Sequence, residues 1–255
     1  VSELPVTPSF RLEGRRALVT GASRGIGMGA GVALAQAGAS VVLAARSADE
    51  LESLCTTLCE QGLEATPLVL DVSDVEAVRA AVAAHGPFDI LVNNAGVNRP
   101  GPMTDVTPDD FDFIMDINVR AAYFVAQAAL HGMIEAGRGG SIINTSSQMG
   151  LVGGVDRTVY CASKWGIEGL TRALAIEAAP HRVRVNTICP TFVRTPLTAP
   201  TFADPERVRW IEEKIKLGRV AEIEDMMGPV VFLASEAAAM ITGTSLVVDG
   251  GWTAG

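Results

Sequence analysis

Short runs rich in β-branched and aliphatic residues recur along the chain at 17–20, 41–44, 67–70, 90–92, 141–144, 183–188 and 246–248. Longer, alanine-rich stretches of helical character fall between them, among them 26–37, 49–61, 75–84 and 159–178. This alternation predicts about seven parallel strands covered by helices on both faces. Crossovers of one hand then give a doubly wound α/β sheet, an architecture that binds dinucleotides. No internal repeat or low-complexity linker divides the pattern, so 1–255 reads as a single domain. One stretch is irregular: it carries Pro190, Pro196, Pro200 and Pro205, and a helical segment, 206–216, follows it. Late in a compact domain, 191–216 is therefore the expected substrate lid, against the plainer reading of a surface excursion.

Composition narrows the function classes. Twenty basic residues stand against 29 acidic ones, a net charge of -9. That argues against a nucleic-acid surface, whose footprint would be basic, while leaving room for a local phosphate pocket. No apolar run approaches the ~20 residues of a membrane helix. The opening VSELPVTPSF lacks the regions of a secretory leader, so 1–11 is expected to be a polar tail. Cys55, Cys59, Cys161 and Cys189 form no CxxC pair and read as thiols of a reducing cytoplasm. His85, His131 and His181 show no metal-ligand spacing, and no metal is expected.

The strongest local signal follows the first strand, in Leu18-Val-Thr-Gly-Ala-Ser-Arg-Gly-Ile-Gly27. A literal G-x-G-x-x-A falls at Gly25, Gly27 and Ala30. The strand, however, ends at Thr20 and starts the turn at Gly21. Gly21, Gly25 and Gly27 then make a G-x3-G-x-G loop between strand and helix. Glycines permit a tight turn and close approach of a pyrophosphate, and the helix start offers it unpaired N–H groups.

With this loop in place, the chain resembles the short-chain dehydrogenase/reductase family in its single-domain form, on a Rossmann fold. The likeness runs from about Leu12 to Asp249-Gly-Gly251. It implies that Gly21, Ser23, Arg24, Gly25, Ile26 and Gly27 belong to the cofactor loop. Asp71 and Val72 would bind the adenine, and Asn93, Ala95 and Gly96 would support the cofactor and the central sheet. Pro190, Val193 and Thr195 match positions that meet the carboxamide and phosphates. Asn118, Ser147, Tyr160 and Lys164 match the family's catalytic residues; Asn118 is assigned a structural water that passes protons to Lys164, which also bonds the nicotinamide ribose. The chain departs from the family at Thr191, where glycine is usual, which bears on that loop's backbone shape. The resemblance also implies a homotetramer, built through the helices of Asn118 and Tyr160 and through the last strand.

The catalytic reading has its own physical basis. Tyr160 and Lys164 are four apart on a helix and share one face. Carbonyl reduction needs a proton donor, and a free phenol, near pKa ~10, is poorly matched to neutral pH. A nearby ammonium is expected to lower it. Ser147, just past the fifth strand, would bond the substrate oxygen, with Ser146 as the alternate. Asn118 is a poor helix former in mid-helix.

Cofactor choice rests on charge. NAD enzymes commonly carry an acid at the end of the second strand; here Ala45 holds that place and Arg46 follows. Arg46 and Arg24 suit a 2′-phosphate, so NADP is expected, with NADPH preferred over NADH. The function expected is an NADP(H)-dependent oxidoreductase interconverting a carbonyl and a secondary alcohol, with Tyr160 as general acid/base. The alternatives are an NAD(H)-dependent polyol or sugar-acid dehydrogenase, a non-catalytic NADP-binding sensor, and an epimerase or dehydratase on nucleotide sugars. The loops 97–102, 148–158 and 191–205 are expected to border the substrate.

Overall fold

The computed structural model describes residues 4–255. Its elements are, in chain order, β1 (Arg16–Thr20), α1 (Gly25–Gln36), β2 (Ser40–Ala45), α2 (Ala48–Glu60), β3 (Ala65–Val69), α3 (Val75–His85), β4 (Ile90–Asn93), α4 (Pro108–Met115), α5 (Ala122–Ala136), β5 (Gly140–Thr145), α6 (Thr158–Ala178), β6 (Val183–Pro190), α7 (Ala199–Phe202), α8 (Pro205–Lys214), α9 (Glu224–Ala234) and β7 (Ser245–Val248). The strands form one parallel sheet in the order β3-β2-β1-β4-β5-β6-β7. The chain winds outward from β1 to β3, then returns to place β4 beside β1. That return is the switch point where doubly wound sheets open a crevice.

Successive strand residues point to opposite faces, so a strand covered on both sides is apolar on both, apart from polar side chains such as Ser141, Asn144 and Asn186 that are hydrogen-bonded inside. Val19, Leu43 and Ile143 face a layer made by α1, α2 and α9, where Leu34, Leu51 and Leu233 are buried. Leu18, Val42 and Ile142 face the other layer, made by α3, α5 and α6, with Val78, Met133 and Ala175. Each such leucine or isoleucine contributes roughly 1.5–3 kcal/mol on full burial.

The helices begin where the sequence offers caps. Asp74 accepts from Ala77 N at the start of α3, Thr107 from Asp110 N at α4, and Asp204 from Glu206 N and Arg207 N at α8. Capping satisfies donors that a helix leaves unpaired. At α1 no side chain does so, and that helix points its first turn into the crevice.

Several boundaries differ from expectation for local reasons. β3 covers Ala65–Val69 rather than 67–70; as an edge strand it tolerates Pro67. α8 stops at Lys214, because Ile215 turns to extended backbone. α9 is not announced by the alternation, and Pro229 inside it obscures its helical pattern. Between α4 and α5 the helix widens into a π turn over Asp116–Ala121. Residues 1–3 of the expected tail lie outside the described residues; 4–11 have no regular structure, and Phe10 rests on Phe232 with ring centroids 6.2 Å apart.

Candidate active site

A cleft of about 530 Å³ opens at the carboxyl ends of β1, β4, β5 and β6. Gly21, Ser23, Arg24, Gly25, Ile26, Arg46, Asp71, Val72, Ala95, Gly96, Ser147, Tyr160, Lys164, Pro190, Val193 and Thr195 all line it. Sixteen of the residues singled out from sequence thus converge from segments spread along the chain. Two further hollows, one around Arg15, Asp89 and Arg138 and one between α3 and α5, gather none of them.

Gly27, Asn93 and Asn118 stand behind the cleft wall. A Cβ on Gly27 would come within 2.2 Å of Gly21 O, so any side chain there would push the loop open. Gly21 itself sits at φ +62, which glycine adopts without the usual steric cost. Asn93 is buried within the sheet, where its Nδ2 donates to Ala122 O at 2.7 Å and to Asn144 Oδ1 at 3.2 Å. It holds β4 to α5 and β5 and is not among the residues that line the cleft. Asn118 sits in the π turn, a distortion frequent at functional sites. Its amide clamps the loop after β4: Oδ1 accepts from Val97 N at 2.8 Å, and Nδ2 donates to Val97 O at 2.9 Å and Ser163 Oγ at 3.0 Å.

The glycine loop fits a phosphorylated cofactor. The first turn of α1 is uncapped, leaving N–H groups for an anion. Arg24 reaches no closer than 3.9 Å to Glu50 and its side chain is well exposed. Arg46 is exposed on the same cleft, near enough to help lower the pKa of Asp71. The larger causes of that lowering are hydrogen bonds from Ser73, whose N–H donates to Asp71 Oδ1 at 2.9 Å. The buried hydroxyls of Thr145 and Thr191 border the cleft without a protein partner, as befits atoms that meet a polar ligand. Thr191 also answers the family's missing glycine: it does not need positive φ, and its N–H bonds Val248 O at 3.2 Å.

Ser146 and Ser147 both line the cleft. The Ser147 hydroxyl is the one that faces the Tyr160 phenol, and it also accepts from Met149 N at 3.1 Å. The geometry therefore separates the two serines in favour of Ser147. Lys164 is buried, lies 5.6 Å from the centroid of the Tyr160 ring, and donates to Thr145 O at 2.8 Å. Burial, which disfavours charge, dominates both groups. It pushes the Tyr160 phenol up, with the Ser147 hydroxyl and the Arg157 charge opposing, and it pushes the Lys164 ammonium down to about 8. The lysine-driven lowering expected from spacing does not set the phenol: burial dominates, and the groups that oppose it are Ser147 and Arg157.

Sequence reasoning assigned no role to several other residues in and around the cleft. Phe113 and Ile117, four residues apart, line the cleft. Arg157, just before α6, is only 9% exposed. Glu168, one turn beyond Lys164, is 2% exposed. The four-residue spacing from Tyr160 and Lys164 was the available signal for Glu168.

A doubly wound sheet with a glycine-loop cleft and an adjoining Tyr-Lys-Ser cluster defines a nucleotide-dependent oxidoreductase. The family model described as enoyl-(acyl carrier protein) reductase matches residues 21–253, and the chain belongs to the short-chain dehydrogenase/reductase family, whose members act on carbonyl and CH–OH groups. It is similar to D-erythrulose reductase of Gallus gallus, 42% identical over 96% of this chain and 98% of that one. Gluconate 5-dehydrogenase of Gluconobacter oxydans is 40% identical, covering 96% of each chain. Among solved structures, gluconate 5-dehydrogenase of Burkholderia cenocepacia, in complex with NADP and tartrate, is 35% identical with a TM-score of 0.93, covering 96% of this chain and 98% of that one.

Proposed function

We propose that the chain reduces a polyhydroxylated ketone to its secondary alcohol with NADPH, and runs the reverse oxidation, using Tyr160 as general acid/base. The observation that carries this reading is the convergence of Tyr160, Lys164 and Ser147 on the cleft that also holds the glycine loop and two arginines. Similarity to a ketose reductase and to an NADP-bound sugar-acid dehydrogenase supports it. When bound, the cofactor supplies the hydride and, once oxidised, a positive charge beside the phenol.

In this reading the Gly21–Gly27 loop and the start of α1 hold the pyrophosphate, Asp71 and Val72 the adenine, and Gly96, Val193 and Thr195 the nicotinamide half. Arg24 and Arg46 take the 2′-phosphate. Ser147 donates to the substrate oxygen as negative charge develops on it, and Tyr160 delivers the proton that completes the alcohol. Lys164 holds the ribose and keeps positive charge near the phenolate left behind. Asn118 fixes the loop that carries Gly96. The free thiols of Cys55, Cys59, Cys161 and Cys189 suit a reducing cytoplasm.

A second reading, in which the substrate carries a carboxylate, is favoured by Arg157. Its buried guanidinium donates only to the neighbouring Asp156 O, at 3.0 Å, and pairs with no carboxylate among the described residues. Burial first, and the Arg207 charge on α8 next, lower its pKa. Two cations meeting beside Tyr160 suit an anionic group. Arg207 belongs to the segment 191–216, for which a lid role is supported by its separate small core of Phe192, Ile211, Ile215 and Val220.

The tetramer is supported by large apolar side chains left exposed on α4, α5 and α6, namely Phe111, Tyr123, Trp165 and Ile176, and by Val247 on the edge strand β7.

Four measurements test these proposals. Tyr160→Phe is expected to lower kcat by about 10²–10⁴-fold with little change in NADPH affinity; near wild-type turnover would sink the assignment. Arg46→Ala should weaken NADPH at least about tenfold more than NADH, the order of a lost charge-assisted contact; a wild-type preference for NADH, or equal loss for both, contradicts the cofactor choice. Hydrogen exchange over 205–214 should slow when NADP and a sugar acid are added, and less with the matching neutral polyol. Equal exchange in all states counts against the lid, and equal slowing by both ligands counts against Arg157 and Arg207 as carboxylate partners. Light scattering at micromolar concentration is expected to return a tetramer, and a monomer there refutes the assembly.

A further inference from the structure

We infer that Glu168 is a positioning residue for the reaction: its buried carboxylate, one helical turn behind Lys164, holds that lysine in its ammonium form. The inference rests on the Tyr160 and Lys164 roles proposed above.

Tyr160, Lys164, Glu168 and Arg172 follow one another at four-residue intervals on α6 and so form one stripe along the helix. The stripe runs from the cleft, where Tyr160 stands, to the surface, where the Arg172 side chain is 54% exposed. Between them Lys164 and Glu168 are buried. The residues that continue the inward face, Thr171, Ala175 and Ala178, are small and uncharged. A carboxylate at this depth is costly unless donors surround it. Here they come from three elements. The Cys189 thiol on β6 donates to Oε1 at 3.3 Å, the Ser245 hydroxyl on β7 donates to Oε2, and Arg172 stands 3.5 Å from Oε2.

These contacts fasten α6 to β6 and β7, but an apolar side chain would fasten it as well without a buried charge. The charge itself matters to Lys164. Its Nζ points toward the cleft and donates to Thr145 O, so the two side chains act on one another through space and not as a direct ion pair. The titratable groups facing Lys164 are Tyr160 and Glu168 on its own helix and Cys189 on β6. β5 offers only the Thr145 carbonyl, and the loop after β4 and the π turn offer Gly96 and Asn118, which carry no charge. Burial pushes the Cys189 thiol up to about 12, so it stays neutral across the working range. Glu168 is left as the negative charge that offsets the desolvation of Lys164, whose ammonium is already down to about 8. The lysine is then mostly charged at pH 7 and loses its proton as pH rises through 8. Removing the carboxylate lowers that threshold.

The test uses the full-length enzyme and two readouts. The first is competitive acetylation of the Lys164 amine in the cofactor-free protein from pH 6 to 9.5, read by peptide mass, which reports the neutral fraction directly. The second is the pH profile of kcat/KM, which reports the free enzyme. Glu168→Gln is expected to shift the lysine midpoint and the alkaline limb of kcat/KM down by about one pH unit, the lower end of what a close opposite charge supplies. Acetylation at pH 7 then speeds up about fivefold, while kcat/KM at pH 6 stays within about twofold of wild type. Ser245→Ala, which loosens the same helix contact but keeps the carboxylate, should leave both midpoints in place. Should Glu168→Gln fail to fold, Glu168→Asp must keep the wild-type midpoint in both readouts. Midpoints unmoved in Glu168→Gln, activity lost equally at every pH, or an equal shift in Ser245→Ala overturn the inference and leave Glu168 a structural residue. The underlying reading fails separately: Lys164→Met would then retain the wild-type alkaline limb.

Discussion

A sheet buried on both faces keeps polar side chains along its strands only where the protein itself pairs them, so open polar chemistry stands at the strand ends, and the site follows from that constraint. β1, β4, β5 and β6 carry apolar side chains into the two helical layers, then deliver Gly21, Ala95 and Ser147 just beyond their carboxyl ends and Pro190 at one. The return from β3 to β4 parts the helices on either side and opens the crevice between those ends. α6 has to carry charge inward, because it supplies Tyr160 and Lys164 while its remaining turns cover the sheet. The polar network along it, from Asn144 and Thr171 to Glu168, Cys189 and Ser245, is what that double duty requires.

The cost of this arrangement falls on Tyr160 and Lys164. Lys164 drops from 10.5 to about 8, roughly 3 kcal/mol against its charged form at about 1.4 kcal/mol per unit. The phenol is displaced in the opposite direction by the same loss of water. Left to burial alone, both groups drift toward neutrality, and neither would stabilise charge on a reacting oxygen. Neighbouring groups oppose the drift without overcoming it: the Ser147 hydroxyl and then the Arg157 charge act on the phenol, and Glu168 acts on the lysine.

What sequence reveals about such a site depends on how local its physics is. The strands were legible because each is a short, continuous apolar run, and the cofactor loop because three glycines must follow a strand within a few residues. β3 was misplaced by two residues because edge strands tolerate a proline that a central strand excludes, and α9 was hidden by Pro229. Asn118 was correctly placed on a helix, yet the π turn around it is a packing outcome in which both main-chain groups of Val97 are captured by one amide. The direction of the Tyr160 shift was misjudged for a related reason: spacing reveals which charges are neighbours, but not how much water they lose.

The side chains on and beside the cleft are the least local of all. Phe113 and Ile117 come from the helix after β4, Arg157 from the turn before α6, Thr191 from the end of β6, and Arg207 from α8. None is unusual where it stands in the chain. Their meeting depends on how α8 is seated, and that seat is aromatic. Arg207 lies 4.5 Å over Trp210, Trp210 stands edge-on to Trp252 at 5.5 Å, and Trp252 tilts against Phe192 at 5.7 Å. The last residues of the chain thus set the position of a guanidinium that faces Arg157. Relatives named for a neutral ketose and for a sugar acid share this fold at 42% and 40% identity, so the cofactor framework does not separate the two classes. Side chains such as these can, because a buried cation without a counter-ion discriminates for an anion by charge alone, and a neutral polyol would leave it unpaired.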